Sequence, residues 1–309
     1  AIRLHNDCQQ PWVCQRTTCA QQDCALMPLY IDLDQRGSIG TYQFIQGAHG
    51  NLDCRQFLTR GKNVVHAIKI RGESQGACLI RQTAHASANP ASKAVVITHG
   101  WNSNGDIWAD ELAGLICSEL TGQFYLGSSQ TDSLIKNCHT SEWDVWVLDW
   151  KTKAVPDPLT AYFNAASIGK ELSRNLKDDY QHVHFIAHSA GSNLIHNATI
   201  GLKAWAIKDN QQAPDVHETF LDAFDPFQGQ SNYGLLADWA DHYVDKRDVI
   251  VEDQDWTDLQ LHNAFNIDVT PFYDGCEDNL SVSSLCSHSR PYRFYGLSVD
   301  WSFIGIAEF

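Results

Sequence analysis

The chain has 309 residues, 43% of them hydrophobic and 19% charged, which is enough to bury one large core with a small appendage. A net charge of -15 with no basic stretch argues against nucleic acid or an anionic membrane as a partner, because phosphate would be repelled. No apolar run approaches the roughly twenty residues that span a bilayer, and ten cysteines, an even number, suit an exported protein with disulfides better than a reduced cytosolic one.

In chain order, residues 1–30 carry Cys8, Cys14, Cys19 and Cys24 among polar residues with little apolar periodicity. They read as a disulfide-held extension to a catalytic domain over 31–309; the spacings lack the paired cysteines of a zinc site. The start at Ala1, with no basic and apolar leader, is expected for a processed secreted or periplasmic form. TYQFI, NVVHAIKI and ACLIRQ, separated by glycine-containing turns, predict opening strands. KAVVITHG (93–100), WDVWVLDW (143–150), HVHFIAH (182–188) and HETFLDAF (217–224) are near-continuous apolar strands. Amphipathic helices are predicted between them over 106–120, 158–176 and 189–207, and another helix or helical turn over 237–248. This alternation predicts an α/β fold, a mostly parallel sheet with helices on both faces. LQLHNAFNIDVT, a loop from Cys276 to Cys286, and RPYRFYGLSV close the chain.

In such a sheet, ligands gather beyond the carboxyl ends of the strands. Ser189 stands there, between Ala187 and Gly191, in the small-x-Ser-x-small pattern of a nucleophile elbow. A serine hydroxyl needs a base, a carboxylate that orients the base, and donors for an oxyanion. Asp222 directly follows the fourth apolar run, with Asp225 the alternative if that strand extends further, and His288 lies late in the chain in a short loop beside Cys286. The N–H groups of Trp101, after His99-Gly100, and of Ala190 are candidates for the oxyanion hole. The order Ser, Asp, His is that of an α/β-hydrolase.

These landmarks resemble the animal pancreatic lipase and phospholipase A1 family: His-Gly-Trp at 99–101, Val-Leu-Asp-Trp-Lys at 147–151, the elbow, Leu-Asp at 221–222, and Cys-x-His-x-Arg at 286–290 with Tyr292 and Tyr295 following. They occur in the family's order over roughly residues 93 to 296. The resemblance implies Ser189 as nucleophile, His288 as base and Asp222 as the acid, although LDAFDP departs from the family's Leu-Asp-Pro and keeps Asp225 open. It also implies a lid between Cys276 and Cys286, here only nine residues, as in phospholipase A1 or lid-poor esterases. With 21 residues after His288, no lipid-binding β-sandwich domain is expected in this chain.

Trp101, Trp108, Phe227, Trp239 and Trp256 are candidates for an acyl groove, although such aromatics more often pack in cores. His182, His184, His188 and His196 cluster around the elbow but do not promise the convergence a metal needs, and His188 is expected to shape the elbow. Asp149 ends a strand but precedes the nucleophile, so it is expected to bond loop N–H groups. The acidic run 252–258 allows structural calcium, but its spacing fits a solvated loop better. The expected function is a cofactor-free, secreted serine ester hydrolase acting on lipids, a lipase or phospholipase A1-like enzyme. The alternatives are a non-lipid esterase of short-chain, polyester or feruloyl type and a non-catalytic binding protein on the same scaffold.

Overall fold

A computed structural model describes residues 54, 65–70, 73–83, 91–106, 108–122, 138, 140–177, 179–228, 230–247, 256–271 and 280–299. The N-terminal extension, the strand expected at TYQFI, Cys276 and most of the acidic run lie outside these residues.

Eight strands form one sheet: β1 (Val65–Ile70), β2 (Glu73–Arg81), β3 (Lys93–Thr98), β4 (Trp143–Asp149), β5 (His182–His188), β6 (Asp215–Leu221), β7 (Trp239–Val244) and β8 (Phe265–Asp268). Their order is β1-β2-β4-β3-β5-β6-β7-β8. β2 runs antiparallel to both neighbours, and every other pairing is parallel. Four helices complete the described fold: α1 (Trp108–Thr121), α2 (Pro158–Leu176), α3 (Gly191–Asp209) and α4 (Leu280–Val299). A parallel sheet with one reversed strand second in order, an elbow after β5 and helices on both faces is the α/β-hydrolase fold.

Strand alternation sorts the core into two layers. Val96, Val183, Phe185 and Phe220 pack with Ile168 and Leu172 of α2 and with Leu194 and Leu202 of α3. Val95, Ile97, Ile186, Leu221 and Tyr243 pack with Leu112 and Ile116 of α1 and with Tyr292, Tyr295 and Val299 of α4. Helix α2 starts where expected because Asp157 accepts from Thr160 N at 2.9 Å and Pro158 supplies a preset first turn. Two disulfides lie among the described residues: Cys54–Cys78 ties the segment before β1 to β2, and Cys117–Cys138 ties α1 to the approach to β4.

Two segments differ from expectation. Residues 237–248, read as a helix or helical turn, contain strand β7. Trp239, Ala240, Tyr243 and Val244 satisfy a helical spacing, but the open edge of β6 offers a ladder, and the burial of both faces favours the strand. The stretch around His288, read as a loop, lies inside α4. Pro291 lies inside the helix, and Tyr292, Tyr295 and Val299 anchor it on the sheet and carry it past the proline.

Candidate active site

The registers of β5, β6 and β7 align Ser189 and Asp222 just beyond one edge of the sheet. His188 pairs with Leu221, and Leu221 with Tyr243. The ladder then continues one residue further, with Ser189 N donating to Leu221 O at 3.0 Å and Asp222 N to Tyr243 O at 2.8 Å. Both residues have left-handed backbones, with φ of 54° at Ser189 and 51° at Asp222. Neither is glycine, so each conformation costs about 1 kcal/mol or more and persists because its surroundings impose it.

The small residues of the elbow have a steric cause. A Cβ on Gly191 would stand 2.6 Å from the His99 carbonyl oxygen, so α3 could not approach β3 with any larger residue. Ala187 points into the α2–α3 layer, where a methyl group fits. Gly100 crosses directly over the serine: a Cβ there would lie 2.6 Å from Ser189 Cβ and 3.2 Å from its Oγ. Only glycine lets the chain pass this close. Beyond it, Trp101 Nε1 donates to Pro156 O at 3.3 Å and Asn102 N to Ala154 O at 2.8 Å, tying the loop that carries the Trp101 N–H to the segment before α2. Ala190 immediately precedes α3, whose first-turn N–H groups lack intrahelical acceptors and favour negative charge.

The base of this loop is held from β4. Trp150 Nε1 donates to the His99 carbonyl at 2.8 Å. The fully buried His99 ring has Nε2 at 3.0 Å from Trp150 N and 3.2 Å from Asp149 Oδ1, with Nδ1 at 2.9 Å from Gly100 O. Asp149 Oδ1 also accepts from Lys151 N at 3.0 Å. Burial alone would raise the Asp149 carboxyl, but contact with His99 and the nearby Lys151 outweigh it and hold it below the usual range. The Asp-Trp pair in WVLDWK therefore organises the loop next to the serine.

The structure brings Asp222 and His288 together. His288 Nδ1–H donates to Asp222 Oδ2 at 2.8 Å, and Asp222 Oδ1 accepts from Asp245 N at 2.9 Å. The Asp245 carboxylate in turn meets Arg290 at 3.2 Å and Arg247 at 3.1 Å. Arg290, two residues after His288, thus couples α4 to the loop that orients Asp222. Asp225 is placed elsewhere: its Oδ1 accepts from Phe227 N and Ser231 Oγ, shaping the turn that follows. β6 stops at Leu221 and does not reach residue 224, which leaves Asp222 first beyond the strand.

The aromatic candidates disperse. Trp108 is buried, stacked on Tyr292 at 4.9 Å and edge-on to His188. Trp256 packs on Phe224, and Trp239 sits at the opposite, amino end of its strand beside His217. Phe227 is exposed and packs on Tyr162, which also contacts exposed Phe163. The histidines separate as well: His184 stacks on His217 at 3.9 Å, while His196 packs against Tyr233 on the other layer. Among the described residues, no group of three or more His, Cys, Asp or Glu is placed to hold a metal ion, and no helix is long and apolar enough to cross a membrane.

Sequence reasoning passed over Asp245, Trp150 and Arg290 as supports of the site. Arg290 was visible as the last residue of Cys-x-His-x-Arg, and Trp150 beside Asp149. Asp245 had no local signal, because it meets Asp222 only through the β6–β7 pairing.

No family model matches the sequence, and comparison with curated proteins gives no match. Among solved structures, the chain is similar to an esterase of Pyrobaculum calidifontis in a monoclinic form, at 13% identity and a TM-score of 0.41, over 81% of this chain and 90% of that one. A second structure, a hyperthermophilic esterase from the same archaeon, has 13% identity and a TM-score of 0.31, over 60% of this chain and 58% of that one. An esterase of Pyrococcus furiosus has 12% identity and a TM-score of 0.34, over 66% and 78%. Scores this low carry no weight; the fold rests on strand order and the elbow.

Proposed function

We propose that the protein is a serine carboxylic-ester hydrolase that releases fatty acids from lipids through an acyl-enzyme. The observation that carries this is the left-handed Ser189, crossed by Gly100, on the same sheet edge as the 2.8 Å His288–Asp222 pair. In this reading Ser189 Oγ attacks the ester carbonyl while His288 takes its proton, and the N–H groups of Trp101 and Ala190 hold the oxyanion. Collapse expels the alcohol, which takes the proton back from His288. The imidazole then activates water to release the acid, with Asp222 fixing its tautomer and stabilising its charge. The protein's own residues complete this cycle without a cofactor.

Two further features bear on the substrate and the compartment. Leu159 and Phe163 of α2 and Phe227 after β6 expose large apolar side chains beside the buried Tyr162, on segments that begin at the carboxyl edge of the sheet. Such a surface suits acyl chains. The disulfides Cys54–Cys78 and Cys117–Cys138 support an oxidising compartment and export.

The test compares fatty-acid release from phosphatidylcholine, trioleoylglycerol and a short-chain nitrophenyl ester by the parent and Ser189→Ala proteins. Release from phospholipid that disappears in the mutant supports the proposal. Activity confined to the short ester replaces lipid with a general esterase substrate, and equal rates in both proteins remove Ser189 as nucleophile.

A further inference from the structure

His188, the last residue of β5, lies next to the proposed nucleophile but points away from it, into the layer beneath α1 and α4. Its ring is enclosed edge-on by Trp108 and Tyr292, and its centroid is 4.3 Å from that of His288. Its Nε2 lies 2.8 Å from the main-chain carbonyl oxygen of His288. A carbonyl only accepts, so Nε2 carries the proton and donates. Burial first, and the neighbouring His288 second, push the His188 imidazole well below its usual range, which keeps the ring neutral and this tautomer available.

The carbonyl it meets lies in a weakened part of the helix. Pro291 is inside α4. It lacks the N–H that would close on the Ser287 carbonyl, and its ring crowds that carbonyl, so the turn carrying His288 has lost part of its own support. Asp222 holds the His288 side chain through Nδ1, but that contact does not hold the backbone of the turn. A second tether, from the strand that bears the serine, fixes the backbone itself.

We propose that His188 is a positioning residue: its Nε2–H, by holding the His288 carbonyl, ties the proline-weakened turn of α4 to the strand bearing Ser189 and sets the distance for proton transfer. The inference rests on the triad reading above. It explains why a polar ring stands edge-on against the stacked pair of Trp108 and Tyr292. The tether acts through His288, so its loss lowers kcat and leaves substrate binding nearly unchanged.

The experiment uses the full chain with Ser189→Ala, His188→Phe, His188→Asn and His188→Gln. It reads steady-state hydrolysis of a short-chain nitrophenyl ester and the rate of covalent labelling by a fluorophosphonate. The Gln amide nitrogen can stand where Nε2 stands, and the shorter Asn cannot reach it; Phe fills the niche with no donor. Expected is a fall of about 10- to 100-fold in kcat and in labelling rate for Phe and Asn, with KM within about twofold, and recovery to within about threefold of the parent in Gln. If Phe does not fold, as judged by circular dichroism, the Asn–Gln contrast stands alone. Parent-like kcat in folded Asn or Phe, equal losses in Asn and Gln, or a change confined to KM each overturns the tether. Ser189→Ala labelling at the parent rate, or a parent that neither hydrolyses nor labels, overturns the triad itself and the tether with it. Abolished labelling in Ser189→Ala beside parent-like His188→Asn removes the tether alone.

Discussion

Two histidine–aspartate pairs stand on the same edge of the sheet, and they have different fates. His288 meets Asp222 at 2.8 Å through Nδ1, whereas His99 meets Asp149 at 3.2 Å through Nε2. The His99 ring is fully buried and has both nitrogens engaged, with Gly100 O on one and Trp150 N and Asp149 on the other. Such an imidazole is held for the shape of a loop. The His288 pairing runs through Nδ1 to the residue that directly follows β6, and in the proposed mechanism it is this ring that moves the proton. Proximity of His to Asp is therefore not the distinguishing feature; which ring nitrogen meets the carboxylate is.

Substitutions separate the pairs, beginning with the largest effect. His288→Ala should lower kcat for ester hydrolysis by about 10⁵- to 10⁶-fold if His288 is the base proposed above. Asp222→Asn should cost about 10⁴-fold in kcat by presenting the wrong hydrogen-bond partner to Nδ1. Asp149→Asn, chemically the same change, should cost less than about tenfold in kcat but about 1–3 kcal/mol of stability in urea titration. Equal kcat losses at 149 and 222 would erase the distinction drawn between the pairs. Gly100→Ala should lower kcat by about 10- to 100-fold, because its methyl group must displace either the loop or the serine.

A third carboxylate, Glu218 on β6, has no histidine and bears on stability alone. It accepts from Thr199 Oγ1 at 2.6 Å and Gly234 N at 3.2 Å, and burial, partly opposed by these bonds, raises its carboxyl to about 7. A raised acid favours the native state fully below the unfolded value near 4.5. As pH rises from there through about 7, the unfolded chain releases a proton that the native state retains, and about 3 kcal/mol is lost. Glu218→Gln, whose amide can accept from Gly234 and donate to Thr199, should therefore gain stability relative to the parent between pH 5 and pH 8, measured by urea unfolding. An advantage that stays constant with pH would show that Glu218 does not titrate in this range.

Much of this architecture was legible in the residues. Continuous apolar strands such as KAVVIT and HVHFIAH can be buried on both faces only in a covered parallel sheet, and the apolar spacing over 158–176 marked α2. The elbow was readable because its steric demand is local, set by residues two positions either side of Ser189. Residues 239–244 were not, because a six-residue apolar pattern fits both periods, and the free edge of β6 made the choice. Nor was the helical setting of His288, since Pro291 is a local stop signal that packing of Tyr292 and Tyr295 overrides.

Spacing and chain order alone carried the serine, the histidine and two carboxylates for the role of acid, because each lies beside a strand end or a cysteine recognisable from its neighbours. The resemblance already favoured Asp222 with Asp225 as the alternative, and the folded sheet adds where each carboxylate goes. β6 pairs with β5 and β7 only as far as Leu221, so the next residue turns toward α4 while Asp225 is drawn into the bond with Ser231. The contacts of Asp245 with Asp222 and of His188 with His288 arise the same way, from strands and helices up to 100 residues apart that meet at one edge. Such contacts are written in no local pattern, because their energy exists only once distant segments are packed together.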